Sequence, residues 1–313
     1  METCLVTGGA GFIGSHLCDK LIEGGYKVIC LDNLLTGSKK NFEHLVDNPN
    51  FEFIEADVTK PLTINDQPLD YIFHLASPAS PIDYQNYSEE TLLANSTGTI
   101  NMLNLARDSK AKLLIASTSE VYGDPLEHPQ KETYYGNVNS FGPRSCYDEG
   151  KRFTEAAAYV YIHKYETDVR LVRIFNTYGP RMQKDDGRVV SNFITAAISG
   201  SSINIDGDGS QTRSFCYVSD LVNGIVKAMF SENTKGEIFN LGNPDEFTIK
   251  ELAEKIINTT GSKSEIAYSG TFREDDPMRR QPDITKAKTV LAWEPKVALK
   301  EGLQKTIEYY KSL

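Results

Sequence analysis

The chain has 313 residues, 40% of them hydrophobic and 24% charged, with a formal net charge of −10. That size and composition fit a globular protein with one large domain, or a large domain and a smaller companion. The acidity excludes nucleic acid as a partner, because phosphate tracking needs a basic footprint, and the lack of any apolar run of about 18 residues excludes a helical membrane span.

The first residues, Met1-Glu2-Thr3-Cys4-Leu5-Val6, run directly into a strand and are expected to leave no room for a signal peptide. Five cysteines (Cys4, Cys18, Cys30, Cys146 and Cys216) show neither CxxC nor metal-ligand spacing. A cytoplasmic chain with reduced thiols and no metal site is therefore expected. Short apolar runs predict buried strands at Cys4–Thr7, Lys27–Asp32, Phe51–Glu55, Tyr71–Ala76 and Lys112–Ser117. Amphipathic helices are predicted at Ile13–Glu23 and Glu89–Arg107, and another from Cys146 to Tyr165 leads to a strand at Val169–Ile174. Alternation of this kind predicts a parallel sheet covered on both faces. The expected fold class is α/β, a Rossmann-like doubly wound parallel sheet in residues 1–174. Beyond it, turns at Tyr178–Pro180, Asp206–Gly209 and Gly242–Asp245 separate shorter elements. Helices are predicted there at Val189–Ser199, Ser219–Phe230, Thr248–Thr260 and Leu299–Lys311. Residues 175–212 and 243–313 are expected to form a smaller C-terminal substrate-binding lobe, with a segment near 213–242 returning to the main sheet.

Thr7-Gly8-Gly9-Ala10-Gly11-Phe12-Ile13-Gly14 follows the first strand and opens a helix, with glycines at 8, 11 and 14. Such spacing serves a tight turn, close backbone approach to a diphosphate, and close helix–strand packing. The helix N-terminus adds free N–H groups and a partial positive charge. Asp32 ends the next strand, where its carboxylate would accept from the adenosine ribose hydroxyls and repel a 2′-phosphate. NAD is thus favoured over NADP. A purely structural glycine turn with a solvated Asp32 competes with this reading, but strand, helix and acid stand in register. Asn33, Thr36 and Gly37 extend the ribose loop. Asp57 and Val58 follow the third strand, where they can hold the adenine; a solvated strand-end aspartate explains Asp57 equally well.

Tyr147 and Lys151 share one helix face at i, i+4. A free tyrosine has a pKa near about 10, and a neighbouring ammonium together with a positive nicotinamide favours the phenolate. In isolation YxxxK is common by chance; behind the glycine turn and Asp32 it reads as a general base and its tuner. Ser117, Thr118 and Ser119 end a strand where open α/β sheets place their ligands, and Glu120 adds a carboxylate able to act as acid, base or water positioner.

Longer segments carry a resemblance. They are Gly8–Gly14, Asp32–Gly37, His74–Pro81, Ser117–Gly123, Gly136–Asn139, Gly142–Arg152, Arg173–Arg181, Gly187–Phe193, Gln211–Arg213, Asp275–Pro277 and Arg280–Asp283. Over nearly its whole length the chain resembles the extended short-chain dehydrogenase/reductases and, within them, the UDP-glucuronate decarboxylases. His74–Pro81 and Gly142–Arg152 are the segments most specific to the decarboxylases. The resemblance implies oxidation at sugar C4 with Tyr147 as base, loss of carbon dioxide from the 4-keto acid, and return of hydride to give UDP-xylose. It implies Tyr147, Lys151, Ser119 and Glu120 as catalytic residues. It adds Phe12, Ile13, Leu75, Ser77, Ala116 and Thr177 to the NAD contacts. Asn176, Arg188, Arg213 and Arg280 are implied to hold the UDP-sugar, expected to be UDP-glucuronate. By the same analogy Glu89–Arg107 and Cys146–Tyr165 would pair across a homodimer. One position departs from the pattern: Leu93 stands where relatives usually carry lysine. Competing readings are a 4-epimerase, a 4,6-dehydratase, a decarboxylase that releases the UDP-4-keto-pentose, and a catalytically silent nucleotide-sugar binder. Dehydratases usually place Asp before this glutamate, where the chain has Ser119, and the intact Tyr147/Lys151 and Ser119/Glu120 disfavour a silent protein.

Overall fold

The computed structural model describes residues 1–62, 68–272 and 275–313. Its first strand, β1 (Thr3–Thr7), is buried along its full length, as an apolar run covered on both faces must be. Around it lie β2 (Lys27–Asp32), β3 (Phe51–Glu55), β4 (Tyr71–His74), β5 (Lys112–Thr118) and β6 (Val169–Ile174). The strand Ile238–Leu241 pairs with β6, so the sheet order is Ile238–Leu241, β6, β5, β4, β1, β2, β3, all neighbours parallel. Chain direction across the sheet reverses between β1 and β4. That is the switch point where a doubly wound sheet opens a crevice beyond its strand ends.

Five helices set the site: α1 (Phe12–Glu23), α2 (Pro81–Asn86), α3 (Ser88–Leu93), α4 (Thr99–Ser109) and α5 (Ser145–Tyr165). On one face α1 packs with the helix Val218–Phe230; α4 and α5 cover the other. Two expectations are corrected. The strand predicted over Tyr71–Ala76 stops at His74, because Leu75 and Ala76 cross Gly8. Gly8 has φ +72°, and a Cβ there would lie 2.8 Å from the Ala76 nitrogen, so only glycine permits the crossing. The helix predicted over Glu89–Arg107 is divided by one π turn at Ala94–Gly98. In that widened turn Asn95 Nδ2 donates to the Thr91 carbonyl and to Ser77 Oγ, both at 2.9 Å, and the Asn95 carbonyl accepts from Thr154 of α5 at 2.8 Å. Inserted π turns recur at functional sites.

In the C-terminal part, Thr212–Ser214 pairs antiparallel with Glu246–Thr248 and parallel with Arg279–Arg280. The register sets Arg213 beside Arg280. No described helix is long and apolar enough to cross a membrane.

Candidate active site

A cleft of about 660 Å³ opens over the C-terminal ends of the sheet strands and extends to Arg213 and Arg280. Its cofactor-side wall is formed by Gly8, Gly11, Phe12, Ile13 and Gly14, then Asp32, Asn33 and Thr36, then Asp57 and Val58. Leu75, Ser77, Ala116 and Thr177 complete that wall. The glycine turn is tight: the Gly11 N–H donates to the Gly8 carbonyl at 3.1 Å, and a Cβ on Gly14 would lie 2.1 Å from that oxygen. Asp32 accepts from the backbone N–H groups of Ala10 (3.0 Å) and Leu34 (2.8 Å), while burial raises its pKa above the usual carboxylate value. Gly37 differs from expectation. It does not line the cleft but backs Asp32, where a Cβ would meet the carboxylate at 2.8 Å.

At the reacting end, Arg144 stands at the N-cap of α5, and the helix carries Tyr147 and Asp148 on its first turn and Lys151 on the next. Lys151 is buried and its Nζ donates to the Ala116 carbonyl at 2.8 Å. Burial pushes its pKa down to about 8, against the opposing pull of Glu155. The Tyr147 hydroxyl is hydrogen-bonded to Thr118. Burial pushes the phenol up to about 12; the Thr118 bond and Arg188 act downward, and Glu120 upward. The Lys151 ammonium lies 5.8 Å from the Tyr147 ring centroid. The chain's own charges thus leave the phenol protonated at neutral pH. Ser80 caps α2 by accepting from Asp83 N–H at 3.1 Å, with Pro81 at the first helical position. That helix holds Tyr84 stacked on Tyr147, centroids 5.0 Å apart and planes within 8°.

Strand alternation sorts the three hydroxyls. Ser117 Oγ donates to Glu155 at 2.6 Å, Thr118 meets Tyr147, and Ser119 lines the cleft as the first residue of a 3₁₀ turn, Ser119–Tyr122. Of the three strand-end hydroxyls, the resemblance points to Ser119, whereas Thr118 is the one that meets Tyr147. Glu120 is part-buried and held by Arg280, whose Nη1 and Nη2 lie 2.5 and 2.7 Å from its oxygens, and by Arg144 Nη2. Burial alone would raise the Glu120 pKa, but Arg144, Arg280 and Arg213 together hold it below the usual range. Arg144 is a second unexpected site residue. Asp276 joins the group, 2.8 Å from Arg213 Nη2 and 3.5 Å from Arg144 Nη1. Arg280 therefore sits at the Glu120 end of the cleft. Asn176 and Arg188 line the cleft as well, Arg188 beside Asp186 at 3.7 Å. Leu93 lines it with an apolar, partly exposed side chain. Arg144 and Thr118 lay within segments the sequence had already singled out. Their signals were the one-turn spacing of Arg144 from Tyr147 and Asp148, and the alternation along β5.

Residues 5–306 match the family model described as GDP-mannose 4,6 dehydratase. A UDP-glucuronic acid decarboxylase 1 of Xenopus tropicalis is 53% identical over 98% of this chain and 72% of the relative. UDP-glucuronic acid decarboxylase 5 of Arabidopsis thaliana is 54% identical over 96% of this chain and 86% of the relative. Among solved structures, a UDP-glucose 4-epimerase of Thermotoga maritima with UDP-glucose superposes with TM-score 0.89 at 33% identity, covering 99% of both chains. A UDP-glucuronic acid 4-epimerase of Bacillus cereus, in complex with UDP-glucuronic acid and NAD, does so with TM-score 0.89 at 28% identity over 99% of both chains.

Proposed function

The chain belongs to the GDP-mannose 4,6 dehydratase family and, within it, to the UDP-glucuronic acid decarboxylases; from that premise we propose that it converts UDP-glucuronate to UDP-xylose on a bound NAD, through a UDP-4-keto sugar. The observation that carries the proposal is the arginine-held Glu120 at the end of the cleft that also holds the Tyr147–Thr118 pair. A plain 4-oxidation needs only the pair. An arginine cluster beside it suits a substrate with a carboxylate on the neighbouring carbon.

The residues fit a dinucleotide: Gly8 and Gly14 leave space that a Cβ would fill, and Asp32 stands at the end of β2. NAD would supply a hydride acceptor at sugar C4 and the same hydride for the last step. Tyr147, in contact with Thr118, takes the proton of the sugar 4-hydroxyl; its high pKa would be offset by the positive charge of a bound cofactor. Lys151, fixed on the Ala116 carbonyl and close to Tyr147, would hold the cofactor ribose. The 4-keto group is β to the C6 carboxylate, so carbon dioxide leaves an enolate that this carbonyl stabilises. Arg144, Arg213 and Arg280 hold the departing carboxylate or the diphosphate, with Asn176 and Arg188 on the nucleotide-sugar side. An ionised Glu120 has no proton of its own to give; with Ser119 it orients the water that protonates C5.

Incubation with NAD and UDP-glucuronate, followed by NMR, tests the reading. UDP-xylose is the expected product; free UDP-4-keto-pentose, UDP-galacturonate or unchanged substrate would each refute it. We further propose residues 1–174, with the returning strand Ile238–Leu241, as the NAD-binding domain and the remaining C-terminal residues as the substrate lobe. A homodimer through α3–α4 and α5 is supported by the exposed Leu92 on the first and Phe153, Tyr159 and Val160 on the second. A cytoplasmic location is supported by five free cysteines.

A further inference from the structure

Asp148 has no part in the chemistry above, yet it is buried one helical turn after Arg144. Its Oδ2 lies 3.6 Å from Arg144 Nε, while its Oδ1 and that Nε have no hydrogen-bond partner. It does not line the cleft, and the cluster guanidinium it stands against is that of Arg144. We infer that Asp148 is a positioning residue that sets the net charge the arginine cluster presents to the sugar carboxylate, an inference that rests on the decarboxylase reading.

Among the described residues, the cluster in the cleft joins the guanidinium groups of Arg144, Arg213 and Arg280 to the carboxylates of Glu120 and Asp276. With Asp148 protonated, one positive charge is left over, which matches one substrate carboxylate. With Asp148 ionised, that excess is cancelled and Arg144 gains a competing partner on its own helix. Several groups face Asp148. These are Arg144 at the N-cap of α5 and Cys146 and Tyr147 within it; Glu120 comes from the 3₁₀ turn, Arg280 from the strand Arg279–Arg280 and Tyr84 from α2. From α3, Glu89 and Glu90 are exposed on the cleft wall, Asp83 of α2 lines the cleft and accepts from Ser80 Oγ at 2.8 Å, and Arg107 and Asp108 of α4 pair with each other at 2.7 Å. Burial first, then Glu120, push the Asp148 carboxyl up to about 7, with Arg144 and Arg280 opposing. The residue is therefore neutral below about pH 7 and ionised above it, so the cluster favours an anionic sugar on the acid side.

The test is the equilibrium Kd of two sugar nucleotides on NAD-loaded Tyr147→Phe protein, which cannot turn over, with and without Asp148→Asn. From about pH 6 to about pH 8 the Kd for UDP-glucuronate should rise roughly tenfold, the scale of one unit charge a few ångströms away at a partly screened site. The Kd for UDP-glucose should stay flat. Asp148→Asn should hold UDP-glucuronate at its tighter, acid-side value throughout. An unchanged pH dependence in Asp148→Asn, or a parallel rise for UDP-glucose, would overturn the inference. A second measurement needs no change at position 148. Near pH 7, binding of UDP-glucuronate should take up protons, read by calorimetry in buffers of different ionisation enthalpy; no uptake overturns the inference as well. Failure of the wild-type chain to release carbon dioxide from UDP-glucuronate refutes the decarboxylase reading. Its release, with pH-independent binding, refutes the role of Asp148 alone.

Discussion

Replacing Glu120 by Gln removes the charge from a carboxylate that accepts from both Nη atoms of Arg280 and from Arg144, while the side chain is 13% exposed. Breaking a buried ion pair by neutralising one partner costs about 3–5 kcal/mol, because the other charge is left uncompensated. Two features reduce that figure here. Asp276 remains to balance Arg144 and Arg213, and Asp148, relieved of a like-charged neighbour, ionises more readily and takes up part of the Arg144 charge. A loss of about 3 kcal/mol is the reasonable expectation. With an unfolding entropy of about 2.1 cal/mol/K per residue, a chain of this length should lose about 4–5 °C in Tm, measured by scanning calorimetry. The same variant separates the two chemical steps. Tyr147, Thr118 and Lys151 are untouched, so C4 oxidation, followed as NADH absorbance in stopped flow, should slow by only about a few fold. Carbon dioxide release should slow by about a hundredfold or more, the usual scale for a lost acid–base or water-orienting group. A Tm within about 1 °C of wild type would show that the carboxylate is not held by the arginines. Equal slowing of both steps would place Glu120 in the oxidation instead.

Tyr147→Phe should abolish turnover while leaving UDP-sugar affinity within about twofold, checked by product NMR and calorimetry. Lys151→Met should cost about a hundredfold in turnover and also change the pH dependence of stability. The folded Lys151 pKa of about 8 lies below its unfolded value, so between about pH 8 and pH 10 the unfolded chain holds more protons and stability rises with pH. In Lys151→Met that lysine contribution to the slope should vanish from urea midpoints; an unchanged slope would mean the ammonium is solvated. Asp32→Ala should weaken NAD binding and narrow its preference over NADP, read as the two Kd values, and a retained preference would remove Asp32 from the ribose site.

What could be read from the sequence was local. The glycine turn, Asp32 and the Tyr147/Lys151 spacing each lie within one strand–turn–helix or one helix, where residue order and geometry are the same information. The hydroxyl was harder, because side chains alternate along a strand. The predicted strand ended at Ser117 and β5 ends at Thr118, and that single residue decides which hydroxyl continues the sheet toward Tyr147. The π turn at Ala94–Gly98 was invisible for a similar reason: one extra residue per turn barely alters a hydrophobic period, and only Asn95, bonded to Thr91 and Ser77, reveals it. The resemblance named Arg213, Arg280 and Glu120, but not that they meet one another and Arg144. Arg144 comes from the N-cap of α5, Arg213 and Arg280 from neighbouring short strands, and Glu120 from the turn after β5, so their meeting is a fact of tertiary packing. It also bears on Leu93, where a lysine was expected beside the substrate. A cation on the α3 wall is not needed to hold a carboxylate when the opposite elements bring three guanidinium groups against Glu120 and Asp276. On the proposed reading the positive charge for an anionic sugar lies there, beside Asp148 at 3.6 Å from Arg144 Nε.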